Sequence, residues 1–340
     1  MTLKHSFPGS NTYKGFVGFF DDVFDLDSLE RLFILKGGPG VGKSTLMKKV
    51  GKLAEAQGDT VEYFHCSSDP ASLDGIKINS RIAVIDGTAP HIVDPKFPGA
   101  ADEIIPLGDG LDHHVLSVAR PKIMEITARM KPKFTAAHHM VAAAESVRNA
   151  YASELVVDKT GVFKAINSFV EEMMLKKDGP AMRNIYMSAV TPDGVITYVR
   201  DTSCLRVWYI EAPWGFDATD ILNKLATTAY DRGADVLLCH DPVNPDKLSD
   251  IVISSEFLIT TSPLLGKNAE LHIDITPYFD ISEADMGLRL IYNQMLDEAT
   301  ALLYKARDIH GELEVQYIEA MDHSKCDKAF ERIAAFVKHD

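Results

Sequence analysis

Between Gly37 and Thr45 the chain reads Gly-Gly-Pro-Gly-Val-Gly-Lys-Ser-Thr, an order of residue types suited to holding phosphate. The glycines let a backbone with few side chains turn its N–H groups around a β-phosphate. The amine of Lys43 can then reach β and γ oxygens, and the hydroxyl of Ser44 can join a Mg²⁺ shell. The spacing from Gly37 to Ser44 is that of a Walker A loop, and the cradle comprises Gly37, Gly38, Pro39, Gly40, Val41, Gly42, Lys43, Ser44 and Thr45. Such a loop works only between a strand and a helix. Arg31-Leu-Phe-Ile-Leu-Lys36 before it and Leu46-Met-Lys-Lys-Val50 after it supply both. The expected ligands are a nucleoside triphosphate and Mg²⁺, with ATP and GTP both open because no Asn-Lys-x-Asp guanine element is present.

Further along, Ile82-Ala-Val-Ile-Asp86 is four apolar residues ending in a carboxylate. This is a Walker B pattern, which delivers Asp86 to the C-terminal edge of a sheet, where ligands of open α/β folds bind. Asp86 is therefore expected to join Ser44 in the Mg²⁺ shell, although Asp86-Gly87 also reads as a capped turn. Asp69 follows the second strand in Cys66-Ser-Ser-Asp-Pro70. Three readings fit it: activating water or an acceptor hydroxyl, contacting Mg²⁺, or closing an Asx turn before Pro70. His91 fits a γ-phosphate sensor or an incidental loop histidine. No glutamate follows Asp86, which argues against fast hydrolysis. The stretch Asp94–Glu103, with Lys96 its only cation, suggests a lid or acceptor site. Adjacent histidines, His113-His114 and His138-His139, do not converge on one helix face, so no metal is expected there. Arg120, Arg129, Arg148 and Arg206 are the candidates for an arginine finger.

These groups sit in a 340-residue chain with 46% hydrophobic and 25% charged residues, long enough for two ordinary domains. A formal net charge of −14 argues against a nucleic-acid-coating protein. The cysteines, Cys66, Cys204, Cys239 and Cys326, lack C-x-x-C spacing and suit structural thiols in a reducing cytosol. The first residues lack the apolar core of a signal peptide, and no apolar run nears the roughly 18 residues of a membrane span. The expectation is a cytoplasmic protein with no membrane or nucleic-acid partner.

The chain also repeats itself. Arg31–Thr88 lies without a gap on Arg206–Pro263, with Arg31/Arg206, Gly40/Gly215, Gly58/Gly233, His65/His240 and Pro70/Pro245 among the identical pairs. Phe163 and Ile166 likewise lie on Phe330 and Ile333, so each half is expected to end in a similar amphipathic helix. Each half reads as an apolar β segment (Phe16–Phe20; Ile185–Val190), a strand (Leu32–Leu35; Val207–Ile210), a helix stopped by Gly58 or Gly233, and two more strands (Val61–Cys66 and Ile82–Ile85; Val236–His240 and Phe257–Ile259). His91–Gly110 is expected to be a surface loop, and Leu111–Leu175 mostly helical with breaks at Pro121 and Pro132. Lys176–Pro180 is the expected boundary, giving domains 1–178 and 179–340. The fold class is α/β: two duplicated P-loop NTPase-like units, each a mainly parallel sheet flanked by helices.

Comparison of the halves separates scaffold from chemistry. Lys43 faces Ala218, Gly42 faces Asp217, Thr45 faces Asp220 and Asp86 faces Thr261. The second half has lost the cation and the metal carboxylate, and its new acids occupy a helix start where an anion would sit. Residues kept in both halves, such as His65/His240, read as structural. Residues confined to the first half, among them Asp69, Asp74 and His91, are the better candidates for function.

The segments Gly37–Thr45, His65-Cys-Ser-Ser-Asp-Pro-x-Ser-Leu-Asp74-Gly and Ile85-Asp-Gly-Thr-Ala-Pro-His91-x-x-Asp94-Pro resemble those of a poorly characterised group of bacterial tandem P-loop ATPase-like proteins. The resemblance spans essentially the whole chain and implies a P-loop NTPase fold, ATP and Mg²⁺, but no substrate. In that group the second half often carries its own phosphate loop. This sequence departs there, with Glu211-Ala-Pro-Trp-Gly-Phe-Asp-Ala-Thr219. The Asp-x-Thr-Ala-Pro pattern is also similar to one in dimeric ATPases that hand over cargo or electrons. Three functions fit: an ATPase with one intact site, coupled to conformational change in an intrachain pseudo-dimer; a kinase acting on a small molecule or nucleotide; and an ATP-gated binding or scaffold protein with an unknown protein partner.

Overall fold

The computed structural model describes residues 3–170, 179–198 and 205–338, with the side chains of 167–170 excepted. Cys204 and the first part of the expected boundary, Lys176–Asp178, lie outside the described residues. The first half contains β1 (His5–Ser6), β2 (Gly9–Thr12), β3 (Gly15–Gly18), α1 (Phe20–Val23), β4 (Arg31–Lys36), α2 (Lys43–Ala56), β5 (Val61–His65), β6 (Leu73–Ile78), β7 (Ile82–Asp86), β8 (Asp102–Pro106), α3 (His113–Ser153), β9 (Val156–Val157) and α4 (Lys159–Val170). The second contains β10 (Met182–Ile185), β11 (Ser188–Thr191), β12 (Gly194–Thr197), β13 (Arg206–Glu211), α5 (Thr219–Asp231), β14 (Val236–His240), β15 (Leu248–Ile253), β16 (Phe257–Thr260), β17 (Leu271–Asp274), β18 (Phe279–Asp280), α6 (Gly287–Ile318) and α7 (Ser324–Val337).

Two six-stranded sheets result, ordered β1-β5-β6-β7-β4-β8 and β10-β14-β15-β16-β13-β17. Neighbouring strands are parallel except that β6 and β15 run against both of theirs. The unbroken apolar run of β4 follows from its place between β7 and β8, with both faces of the sheet covered. One face meets α2, where Leu46, Met47, Val50 and Ala54 are buried at helical spacing. The other face meets the second sheet: Leu32, Ile34, Phe64 and Ile85 share a core with Val207, Cys239, Val252 and Leu258. Gly58 and Gly233, at φ 88° and 92°, close α2 and α5 as expected.

The halves exchange helices. α7 and Met321 just before it pack on the first half, burying Met321, Ala329, Ile333 and Val337 with Val50, Ala54 and Val84. Reciprocally, Val162 and Ile166 of α4 pack with Ile221, Leu222 and Leu225 of α5. The long helices α3 and α6 lie antiparallel, joining Ile126 to Ile309 and Leu313 at one end and Ala137 and Val141 to Ala299 and Leu303 further along. Each therefore runs from one half to the other.

Three expectations about elements need correction. Pro121 and Pro132 do not break α3, which is continuous from His113 to Ser153. Each proline removes one backbone donor, and packing along α6 holds the helix through the loss. The stretch His91–Gly110 is not a free loop, because β8 pairs with β4 along the sheet edge. Within it Asp102 is buried and accepts N–H bonds from Lys96 (2.7 Å) and Phe97 (3.1 Å), while Lys96 Nζ reaches Asp21 (2.8 Å). Finally, the β segment expected at Phe16–Phe20 is a hairpin, β2–β3, followed by α1; its counterpart at Ile185–Val190 is split between β10 and β11.

The second sheet holds a buried carboxyl in β15. Asp250 accepts from Thr260 Oγ1 and from Ser249 Oγ (2.6 Å), and burial pushes its pKa up to about 6 against those donors. The native state then binds a proton that the unfolded chain releases near pH 4. This group's contribution to stability is fully present below about pH 4 and lost as pH rises to about 6. Asp250→Asn is expected to stabilise the protein at pH 7 by about 1–3 kcal/mol, at ~1.36 kcal/mol per pKa unit. Urea midpoints should show the variant's advantage shrinking as the pH falls from 7 to 4. An equal midpoint at pH 7 would contradict this account.

Candidate functional site

The register of β4 and β7 sets Leu35 beside Asp86. The chain leaves β4 at Lys36, turns through the glycine loop and enters α2 at Lys43, so loop and carboxylate share the C-terminal edge of the sheet. Gly40 and Gly42 have φ of 71° and 93°, left-handed values that disfavour other residues. Gly42 is the N-cap of α2 and brings no side chain to it. The N–H groups of Lys43, Ser44 and Thr45 in the first turn have no intrahelical acceptors, and the helix dipole adds positive potential there. Backbone groups arranged this way are able to receive an anion.

Lys43 points back into the loop. Its Nζ donates to the carbonyls of Gly37 (2.8 Å) and Gly38 (2.9 Å) and lies 3.5 Å from Asp86 Oδ2. The turn reading of Asp86 holds for one oxygen: Oδ1 accepts from Thr88 N (2.9 Å) and Thr88 Oγ1 (2.6 Å), leaving Oδ2 to face Lys43. Ser44 Oγ accepts from Leu73 N at 3.1 Å. Thr219 makes the same bond to Leu248 N at 2.9 Å in the second half, so this hydroxyl also has a structural duty where the lysine is gone. Neither bond uses the hydroxyl's own proton or its second lone pair.

Asp69 forms the turn: its Oδ2 accepts from Ser72 Oγ (2.6 Å) and its carbonyl from Ser72 N (2.8 Å). His91 is buried in the site's wall. It stacks on Phe20 at 4.4 Å, places Nδ1 3.0 Å from the Asp86 carbonyl and lies with Nε2 3.4 Å from Asp74 Oδ1. Burial lowers its pKa, the Asp74 hydrogen bond and charge raise it, and the net shift is upward. His91 thus braces the strand end that carries Asp86. His65 and His240 are structural in both halves, bonding the carbonyls of Pro70 (2.8 Å) and Pro245 (2.6 Å). His138 bonds Asn11 at 3.2 Å.

The second half shows how the same cradle is closed. Asp217, just before the N-cap Ala218, accepts the first N–H of α5 (Thr219 N, 3.0 Å) on Oδ1, and Ala218 is buried. Arg148 of α3 forks onto Asp241 (2.7 and 3.0 Å) and onto Glu145 (2.7 Å). Burial raises the Asp241 carboxyl's pKa, Arg148 lowers it, and the net shift is downward.

The proposed arginines do not meet at the first site. Arg129 pairs with Glu312, Arg206 with Glu270 and Arg148 with Asp241, and Arg120 is exposed. Residues of the second half close over the loop instead. A Cβ on Gly38 would lie 2.8 Å from the Tyr317 ring, and one on Gly40 would lie 2.9 Å from both the Glu314 carbonyl and Ile318. Cys326 Sγ donates to the Val41 carbonyl at 3.1 Å. Nothing in local sequence marks these residues, since they act through tertiary contact. A separate cleft of about 430 Å³, lined by Glu30, Arg31, Asn79, Arg81 and Phe336, opens at the opposite edge of the sheet.

Among the described residues no cluster of three or more His, Cys, Asp or Glu side chains could hold a metal. A Mg²⁺ ion at the loop would have Ser44 and Asp86 as protein ligands and would draw the rest from phosphate and water, a usual arrangement for this ion. Comparison with known proteins finds no matching family model, no matching curated protein and no matching solved structure. No described helix is long and apolar enough to cross a membrane.

Proposed function

We propose that the first half binds one nucleoside triphosphate, ATP, with Mg²⁺, and that the chain is an ATPase whose nucleotide state is passed to the second half. The observation that carries this reading is the N-terminus of α2, with no carboxylate upon it, beside Lys43 and Asp86, set against α5, whose first N–H is taken by Asp217. Phosphate oxygens would replace the Gly37 and Gly38 carbonyls as partners of Lys43, and backbone N–H groups would surround the β-phosphate. When bound, Mg²⁺ would offset negative charge on the β- and γ-oxygens. The packing of α6 on Gly38 and Gly40 gives the loop a mechanical link to the far half, because a loop rearranged around phosphate must move against that helix.

Calorimetric titration of the whole chain with Mg·ATP should give one equivalent per polypeptide. A second equivalent that persists in Lys43→Ala would refute single-site binding. Phosphate release without an added acceptor supports the ATPase. ADP formation only with a small hydroxyl compound or nucleotide present supports a kinase, and tight binding without turnover supports an ATP-gated scaffold.

A further inference from the structure

The two long helices close over the two loops in equivalent ways. The Glu314 carbonyl approaches Gly40 as the Arg148 carbonyl approaches Gly215, and Tyr317 and Tyr151 pack on the same loops. Glu145 and Gly311 each lie six residues before those tyrosines and so occupy equivalent places. In the second half Glu145 fills its place, accepting from Asn244 Nδ2 (2.6 Å), Lys247 Nζ (3.0 Å) and Arg148 Nε (2.7 Å). In the first half a Cβ on Gly311 would meet nothing within 4 Å. The counterpart of Asn244 there is Asp69. The half that keeps its lysine thus has open space where its twin has a buried ion network.

Residues 307, 311, 314 and 318 form one stripe of α6. Glu314 and Ile318 of this stripe touch the loop at Gly40, Gly311 leaves the gap, and Arg307 stands a turn beyond it. Its guanidinium forks onto Asp193 in the β11–β12 turn, at 2.8 Å for each bond. The Asp193 hydrogen bond and the charges of Asp193 and Asp69 raise its pKa against partial burial. The Asp193 pair is partly exposed, a setting in which ion pairs exchange readily. The Arg307 equivalent on α3 is Val141, buried between the helices.

We propose that Arg307, carried on α6 from the second half, contacts the terminal phosphate of a nucleotide held by the first half, and that this phosphate occupies the space beside Gly311. The inference rests on the nucleotide reading above and adds to it the selection of triphosphate over diphosphate. A guanidinium suits the task because its fork matches two phosphate oxygens as it now matches two carboxylate oxygens. Released from Asp193, it crosses a gap that no side chain at position 311 obstructs.

The test compares Mg·ADP with a Mg-bound non-hydrolysable ATP analogue, both titrated into the whole chain by calorimetry. Arg307→Ala is expected to weaken the analogue about 10–100-fold, the range for losing a charged hydrogen bond, and to leave ADP within about twofold. Gly311→Glu, whose Cβ has open space around it, should give the same selective loss and carries the test if Arg307→Ala fails to fold. Asp193→Ala frees Arg307 and should keep or tighten analogue binding. An unchanged analogue-to-ADP ratio in Gly311→Glu and in a folded Arg307→Ala overturns the proposal, as does Asp193→Ala reproducing the loss in Arg307→Ala. A wild-type chain that binds neither nucleotide instead overturns the nucleotide reading itself.

Discussion

Lys43→Ala is expected to weaken Mg·ATP binding about 100-fold while leaving the fold intact. The lysine is the nearest cation to the loop interior, with its Nζ within 2.9 Å of two loop carbonyls and 3.5 Å from Asp86. A charge-assisted hydrogen bond is worth about 1.5–3 kcal/mol, and the upper end of that range corresponds to the stated loss at about 1.4 kcal/mol per decade. Stability should change little. Alanine is the best helix former for the first turn of α2, the freed carbonyls belong to half-buried residues that water can reach, and Asp86 keeps its two bonds from Thr88. The second half already holds alanine at this place, Ala218, at the start of an ordered helix. Equal affinity in the variant and the parent would remove Lys43 from the site.

Parts of this arrangement were legible in the sequence for physical reasons. The loop was visible because its chemistry needs particular residues at adjacent positions, and the gapless repeat predicted β4/β13, β5/β14 and β7/β16 at matching places. β6 was not legible. Leu73-Asp-Gly-Ile-Lys-Ile78 mixes Asp, Gly and Lys into a strand whose six residues are all buried, so tertiary pairing with β5 and β7 overrides propensity. β8 was masked by flanking turn residues; the helical character of α3 was legible, and only its continuity was hidden by two prolines that packing on α6 outweighs. For Asp86 the turn reading describes one carboxylate oxygen, bonded by Thr88, while the other faces Lys43. For Asp69 the turn reading describes the side chain's own bonds. A helical stripe on α4 or α7 shows that a face will be buried without showing where. The exchange of these helices could therefore be found only in three dimensions.

That exchange leads to the second large effect: residues 1–178 produced alone are expected neither to fold cooperatively nor to bind ATP, although they contain every residue of the loop and Asp86. Without the second half, α2 and β7 lose α7. Burial of Met321, Ile333 and Val337 is worth on the order of 1.5–3 kcal/mol each. That sum alone approaches the roughly 5–15 kcal/mol that holds a typical domain together. The same fragment exposes Leu32, Ile34, Phe64 and Ile85, which meet the second sheet, and it leaves Gly38 and Gly40 without Tyr317, Glu314 and Ile318. Its own α4 has a face shaped for α5 and nothing to place against it. Residues 179–340 alone face the reciprocal deficit. Co-expression of the two fragments should restore both, yielding a co-purifying pair that unfolds as one unit and regains the single ATP site. Circular dichroism and size-exclusion chromatography of each fragment, followed by ATP titration of the pair, measure this directly. A monomeric 1–178 that melts cooperatively and binds ATP would show that the exchanged helices are dispensable and that the loop needs only its own half.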